Sequence, residues 1–174
     1  MYPDYQSKFP ELGFYGLPGP PRSPRDILKQ AQDAEALGIG NIMISERLDY
    51  KEIAAICGAV AAVTDEIFIG TSATNLNKRH PTVTASIGST LHRLSEGRFA
   101  LGLAKGVAFG WKARGMQAIT YEREREFIDL MRRLWKGETI TGYDGSLGQY
   151  PVLSVADYLD EELPILYVGF GPRS

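Results

Sequence analysis

The feature that most restricts the fold of this chain is a regular alternation of short apolar runs with longer helical segments. The apolar runs predict strands, at about 11–16, 41–45, 67–71, 98–103 and 164–169. Apolar residues at helical spacing predict helices, at about 23–37, 50–61, 81–91 and 121–135. Because most of these strands are apolar on both faces, the pattern predicts a parallel sheet covered by helices.

Two architectures satisfy this alternation, an open doubly wound sheet and a closed barrel of eight β/α units, and the pattern alone does not choose between them. A barrel of this kind needs about 250 residues, whereas the chain has 174 and holds four units plus a fifth strand. As a barrel it would therefore be incomplete, with a second half elsewhere or a second copy pairing at the open edge. The stretch at about 138–163, rich in Gly, Tyr and Asp, is interpreted as an insertion containing a small hairpin.

Composition argues against several functional classes. Nineteen basic against twenty-one acidic residues give a net charge of −2, which provides no electrostatic reason for a nucleic-acid or anionic-membrane partner. No segment approaches the ~20 apolar residues of a membrane span. The first residues have no apolar signal-peptide core, so a cytoplasmic location is expected. The single cysteine, Cys57, lies in an apolar run and is expected to be a buried structural thiol.

Common nucleotide and metal motifs are absent from the sequence. Neither a Gly-x-Gly-x-x-Gly fingerprint after the first strand nor a P-loop occurs. The histidines do not form a metal motif, and His80, directly before Pro81, is expected in a loop or at a helix start. Polar and glycine-rich segments instead follow the strands, where parallel α/β proteins bind ligands. These segments are 45–47, 71–75, 104–107 and 169–173.

Several segments in a fixed order resemble the luciferase-like monooxygenase family, most closely its members that use the deazaflavin coenzyme F420. They are 36–46 (ALGIGNIMISE), 69–73, 79–83, 94–103 (LSEGRFALGL), 125–137 and 164–172. The resemblance implies a TIM-type (β/α)8 barrel with the coenzyme ring at its carboxyl-terminal mouth. Residues 1–174 would then be the N-terminal portion, about the first four units plus a fifth strand.

The activity implied by this resemblance is hydride transfer between coenzyme F420 and a small organic substrate. An FMN-dependent monooxygenase of the same fold is an alternative. A second alternative is a truncated, non-catalytic chain that binds a partner through its open sheet edge. For the enzyme, the expected partners are a small-molecule substrate and either a missing C-terminal half or further copies of the chain.

The resemblance also implies which residues meet the coenzyme. In F420-binding relatives the third strand ends in a bulge with a non-prolyl cis peptide behind the ring, and the matching bond is Ser72–Ala73. Glycines after the fifth strand let the backbone approach the coenzyme phosphate. The expected coenzyme contacts are Ser72, Ala73, Thr74, Lys105, Gly106, Gly169, Phe170 and Gly171.

The chain departs from well-known relatives next to the chemistry. Where many relatives have an acidic residue followed by histidine, this chain has Glu46 followed by Arg47. Arginine stays protonated, so Arg47 is expected to stabilise negative charge rather than carry a proton, and Glu46 is a polar anchor or an acid–base group. Val107 stands where some sugar-phosphate-oxidising relatives have an acid. Lys105 is either a phosphate or carboxylate ligand or a solvated loop lysine.

Overall fold

A five-stranded parallel sheet forms the centre of the protein in the computed structural model, which describes residues 7–169. The strands in chain order are β1 (Phe9–Gly16), β2 (Ile39–Ile44), β3 (Phe68–Thr71), β4 (Phe99–Leu103), β5 (Ile140–Gly145), β6 (Gly148–Leu153) and β7 (Ile165–Tyr167). The parallel sheet has the order β1-β2-β3-β4-β7. β5 and β6 form an antiparallel pair of their own, which confirms a hairpin within the predicted insertion.

The four longer helices pack side by side along this sheet, and they are α1 (Asp26–Ala36), α2 (Ile53–Ala61), α3 (Pro81–Leu94) and α5 (Tyr121–Trp135). A short helix, α4 (Ala108–Lys112), lies between β4 and α5 in the chain. α1 packs on α2, α2 on α3 and α3 on α5. Right-handed crossovers between neighbouring parallel strands place the connecting helices on the same side of a sheet. None of the helices within 7–169 is long and apolar enough to cross a membrane.

The strand order decides between the two architectures left open by the sequence. A doubly wound sheet reverses its strand order at a switch point, whereas here each parallel strand lies beside its predecessor in the chain, apart from the inserted hairpin. The sheet is therefore a run of consecutive barrel units. Within the described range, β1 pairs only with β2 and β7 only with β4, so the sheet has two open edges.

The two faces of the sheet differ in their side chains. On the face that meets the helices, Ile42, Ile69 and Phe99 are in register and fully buried. On the other face, called the open face below, Met43, Gly70 and Ala100 are in register. A Cβ atom on Gly70 would lie 2.6 Å from the sulfur of Met43, so the Met43 side chain covers Gly70 on this face.

The start of α1 corrects a sequence prediction. The sequence predicts a helix from about residue 23, but α1 begins at Asp26, and Arg25 is its N-cap without a side-chain hydrogen bond. The reason is a preceding turn, in which the amide of Asp26 donates to the Ser23 carbonyl at 3.1 Å. The Ser23 hydroxyl still accepts the Arg25 amide at 3.2 Å. The short helix α4 was not predicted, because five residues carry no helical periodicity.

Helix α5 has the predicted bounds, and Phe127, Met131 and Leu134 lie on its buried face. Glu124, although acidic, is only 4% exposed. It turns inward because its carboxylate accepts a hydrogen bond from the hydroxyl of Tyr167 at 2.9 Å.

Cys57, in α2, is buried as predicted, and burial raises the pKa of its thiol.

Candidate functional site at the carboxyl ends of the strands

A bulge with a cis peptide bond between Ser72 and Ala73 follows β3, as the resemblance implies. It stays hydrogen-bonded on both sides. The Ser72 amide donates to the Ile44 carbonyl at 2.6 Å, and the Thr74 amide donates to the Gly102 carbonyl at 2.9 Å. The bulge is thus held between β2 and β4, and it presents two small, partly exposed side chains at the end of the sheet.

Gly102 of β4 is needed to accommodate this bulge. A Cβ atom at Gly102 would lie 1.7 Å from the carbonyl oxygen of Thr71, a distance that no side chain can occupy. The Thr71 hydroxyl also bonds the Gly102 backbone, 2.8 Å from its carbonyl oxygen and 2.6 Å from its nitrogen. Glycine is therefore required at position 102 because the Thr71 carbonyl comes close to its backbone, and not because a positive φ is needed.

Glu46 lies at the end of β2 with its side chain almost fully buried. Its carboxylate accepts hydrogen bonds from the Thr74 hydroxyl at 2.5 Å and from both terminal nitrogens of Arg79. The ammonium of Lys78 is 3.6 Å away. A buried charge is tolerated when it is paired and hydrogen-bonded in this way. Of the two roles expected for Glu46, these contacts favour the polar anchor.

Arg79 extends this network to α2. It also pairs with Glu52, the N-cap of the helix, whose carboxylate accepts the Ala55 amide at 2.8 Å. Burial alone would raise the pKa of Glu52, but the hydrogen bonds from Ala55 and Arg79 outweigh it and lower this pKa. With Lys78, the network contains two cations and two carboxylates, so its charges balance.

Arg47 and Lys51 lie beside this network at the two ends of a short turn. The turn is closed by a backbone hydrogen bond from the Arg47 amide to the Lys51 carbonyl at 3.0 Å. The Arg47 guanidinium lies 3.3 Å from the Tyr15 hydroxyl, and the Lys51 ammonium lies 5.6 Å from the centroid of the Tyr15 ring. Burial and then the charge of Arg47 lower the pKa of Lys51, which is only 2% exposed.

These side chains surround a cavity of about 590 Å³ at the carboxyl end of β2. It is lined by residues 46–52 with Lys78, Arg79 and Met116. The structure thus places Glu46 and Arg47 at one cavity together with Lys51, Lys78 and Arg79. Sequence reasoning missed these three because exposed lysines and arginines are common in loops, and only tertiary contacts distinguish a buried one.

A second polar cluster follows β4 and β7. The ammonium of Lys105 lies 3.8 Å from the ring centroid of Tyr121, within cation–π distance. Burial raises the pKa of the neighbouring Glu124, while the Tyr167 hydrogen bond and Lys105 oppose the rise. Burial and the contact with Glu124 raise the pKa of Tyr167 to about 12. The sequence did not indicate that Glu124 is buried. Acidic residues are common in the first turn of a helix, where they interact favourably with the helix dipole.

The other predicted site residues differ in how exposed they are. Gly106 has φ +64°, and a Cβ atom there would lie 2.9 Å from the ring of Trp111. Val107 is 73% exposed, and Gly169 is exposed. The predicted contacts Phe170 and Gly171 lie outside the described residues.

The histidines take structural positions. His80 is the N-cap of α3, where its side chain accepts the Thr82 amide, which confirms the predicted helix start. His92 lies 3.0 Å from a carboxylate oxygen of Glu161. No group of three or more potential metal ligands occurs among residues 7–169.

Comparison with known sequences relates the chain to one family. The profile of the luciferase-like monooxygenase family matches residues 11–173. An F420-dependent glucose-6-phosphate dehydrogenase of Beutenbergia cavernae is 31% identical over 165 residues, which cover 87% of this chain and 49% of that protein. A putative coenzyme F420-dependent oxidoreductase of Mycobacterium tuberculosis is 27% identical, with 94% and 50% covered. The chain spans about half the length of the curated relatives it matches.

Solved structures have the same fold. An F420-dependent secondary alcohol dehydrogenase in complex with an F420-acetone adduct superposes with a TM-score of 0.80 at 23% identity, covering 95% of this chain and 54% of that one. A type II Baeyer–Villiger monooxygenase of Pseudomonas putida in complex with FMN superposes with a TM-score of 0.75 at 24% identity, covering 92% and 51%. At these identities the likeness establishes the fold.

Proposed function

Since the chain belongs to the luciferase-like monooxygenase family, we propose that it forms the coenzyme-binding mouth of an F420-dependent oxidoreductase. The reaction is hydride transfer to or from a small organic substrate. The observation that carries this proposal is the bulge at Ser72–Ala73, which is hydrogen-bonded to β2 and β4 and presents two small, partly exposed side chains at the carboxyl edge of the sheet. The curated relatives named above are themselves described as F420-dependent.

The residues around the bulge fit a planar ring. Ser72 and Ala73 have small side chains, and Gly70, Ala100 and Gly102 are small residues in the two strands beside the bulge. The coenzyme, when bound, supplies the hydride chemistry, and the protein supplies binding, orientation and electrostatics. Ser72, Ala73 and Thr74 would support the ring, and the proposed contacts on the side of β4 and β7 are Lys105, Gly106, Gly169, Phe170 and Gly171.

Glu46 and Arg47 have separate roles in this proposal. Glu46 fixes the bulge through its hydrogen bond from Thr74 and is itself fixed by Arg79. Arg47 keeps its charge at any working pH, so it stabilises negative charge on a bound ligand and does not transfer a proton.

An FMN-dependent monooxygenase is the second candidate. The FMN complex of the Baeyer–Villiger enzyme superposes on 92% of this chain, so a flavin ring is compatible with the fold. The two candidates differ in the coenzyme that the chain binds. Separate titrations with oxidised F420 and with FMN, each followed by quenching of ring fluorescence, therefore distinguish them.

The binding experiment uses the chain with a matched pair of variants. We expect saturable quenching of F420 at micromolar concentrations, weaker quenching of FMN, and loss of F420 binding in Ala73→Leu, which places a branched side chain on the bulge. Ala113→Leu is the control, because Ala113 is exposed at the end of α4. Absence of saturable binding to either coenzyme by a chain with native circular dichroism would refute the proposal.

The open edges bear on the assembly and on the non-catalytic alternative. We propose that β1 and β7 are covered by the remaining barrel units or by a further copy of this chain, because an unpaired apolar edge strand favours association. Light scattering during gel filtration would reveal a dimer or larger species. A chain that binds a protein partner but no coenzyme would instead support the non-catalytic alternative.

The proposed compartment is the cytoplasm, which suits the free thiol of Cys57.

A further inference from the structure

The charges around the cavity at the end of β2 are not balanced. Its lining contains the cations Arg47, Lys51, Lys78 and Arg79 and the carboxylates Glu46, Asp49 and Glu52. Glu46 and Glu52 are both paired with Arg79, and Lys78 adds to Glu46. In the range 7–169, neither Arg47 nor Lys51 has a carboxylate within ion-pair distance. The cavity lining therefore has a net charge of one positive unit, and its cations without an ion pair are Arg47 and Lys51.

Lys51 is the stronger indication of a ligand. Its side chain is buried, and its ammonium donates to the Leu17 carbonyl at 2.7 Å. An ammonium has three N–H donors, so this bond leaves donors for another oxygen. A buried cation without a counter-ion is costly to keep in a fold unless a ligand supplies the opposite charge.

The geometry of the turn brings Arg47 and Lys51 to one place. The backbone bond between them fixes their spacing, and both side chains contact Tyr15. Tyr15 pairs in register with Met43 and so lies on the open face. The two cations consequently lie where the open face meets the carboxyl edge of the sheet. They follow β2, and the bulge follows the neighbouring strand β3.

The distance across the sheet separates this place from the end of β7, after which the coenzyme phosphate is proposed to bind. β3 and β4 lie between β7 and β2. With strands about 4.8 Å apart, the separation is about 14 Å. An anion near Arg47 and Lys51 is therefore a different group from one bound after β7. A cavity of about 590 Å³ also lies within the size range of small-molecule sites.

We propose that Arg47 and Lys51 bind the anionic group of the substrate, so that the substrate is a small organic acid or a phosphate ester. This inference rests on the proposed function, since it takes the coenzyme to occupy the bulge. The oxyanion accepts hydrogen bonds from the Lys51 ammonium and the Arg47 guanidinium, and Tyr15 holds both cations in place. Lys51 acts as a binding residue here and takes no part in proton transfer.

The test is calorimetric titration of the chain with inorganic phosphate and, separately, with acetate, at constant ionic strength. We expect millimolar binding that weakens at least about tenfold in Lys51→Met and in Arg47→Met. The control is Lys29→Met, since Lys29 is an exposed α1 lysine paired with Asp33. Arg47 is exposed, so its variant is expected to fold even if Lys51→Met does not. Binding that is equal in the control and in Arg47→Met overturns the proposal.

A second arm identifies the source of the anion. Phosphate is titrated again in the presence of saturating F420, with coenzyme binding followed separately by its fluorescence. Unchanged phosphate binding assigns the site to the substrate, whereas competitive displacement assigns it to the coenzyme and overturns the inference. If F420 does not bind, the proposed function fails, and the coenzyme-free titrations still decide whether Arg47 and Lys51 hold an anion.

Discussion

The helix face and the open face of the sheet are made from the same strands, yet they differ in what they contribute. On the helix face, Ile42, Ile69 and Phe99 form a continuous buried layer. Across the same strands, the open face has Met43, Gly70 and Ala100. The difference is one of side-chain volume more than of polarity. It assigns the larger share of stability to the helix face.

The largest expected effect tests this assignment directly. Phe99→Ala removes a fully buried ring from the helix face and should lower the free energy of unfolding by about 3–5 kcal/mol. Met43→Ala on the open face should cost less than about 1 kcal/mol, because Met43 is already partly exposed. Urea denaturation of the two variants measures both values. Equal losses would mean that the open face is packed as tightly as the helix face.

An intermediate effect is expected where the open face meets the bulge. Gly102→Ala places a Cβ atom 1.7 Å from the Thr71 carbonyl oxygen, so the bulge must move. We expect a loss of about 1–3 kcal/mol in the free energy of unfolding, together with weaker F420 binding. Gly110→Ala is the matched control, because the nearest atom to its Cβ is 3.8 Å away. If Gly102→Ala binds F420 with the affinity of the parent, the position of the bulge does not matter for coenzyme binding.

The smallest effect concerns the carboxyl end of the helix face, where Glu124 and Tyr167 interrupt the apolar layer. Burial raises the pKa of Glu124 above its unfolded value, so the folded state binds its proton more tightly. Its charged form therefore reduces stability as the pH rises through the folded pKa, and below the unfolded pKa of about 4.3 this cost is absent. Glu124→Gln should gain stability relative to the parent between pH 4 and pH 8, by less than the change expected for Gly102→Ala.

The measurement for Glu124 is thermal unfolding at several pH values. Glu122→Gln, on the exposed side of the same helix, is the control. A difference between Glu124→Gln and the parent that does not depend on pH would show that Glu124 titrates normally.

The fold could be read from the sequence to a large extent, because alternation and periodicity follow from which face is buried. The bounds of α5 were predicted from such local signals, and α1 ends at Ala36, close to the predicted end at residue 37. The two faces of the sheet could not be separated, because strands that are apolar on both faces do not show which face meets the helices, and Gly70, Ala100 and Gly102 do not differ in polarity from the larger apolar residues. Their role depends on the volume left by neighbouring strands.

The site was predictable only in part. The cis bond at Ser72–Ala73 followed from the family resemblance and is present. Lys51 and Glu124 were missed, because their burial depends on partners far along the chain. The Leu17 carbonyl is 34 residues from Lys51, and Tyr167 is 43 residues from Glu124. No local pattern reports contacts of this kind.

The turn between Arg47 and Lys51 bears on which residues at the carboxyl edge of the sheet can be substituted. Its ends are joined by main-chain atoms, so the shape of the turn does not require particular side chains at 48–50. The bulge, by contrast, is fixed by Glu46, which follows β2, and by Gly102 of β4. The sequence of the turn can therefore be exchanged without displacing the bulge.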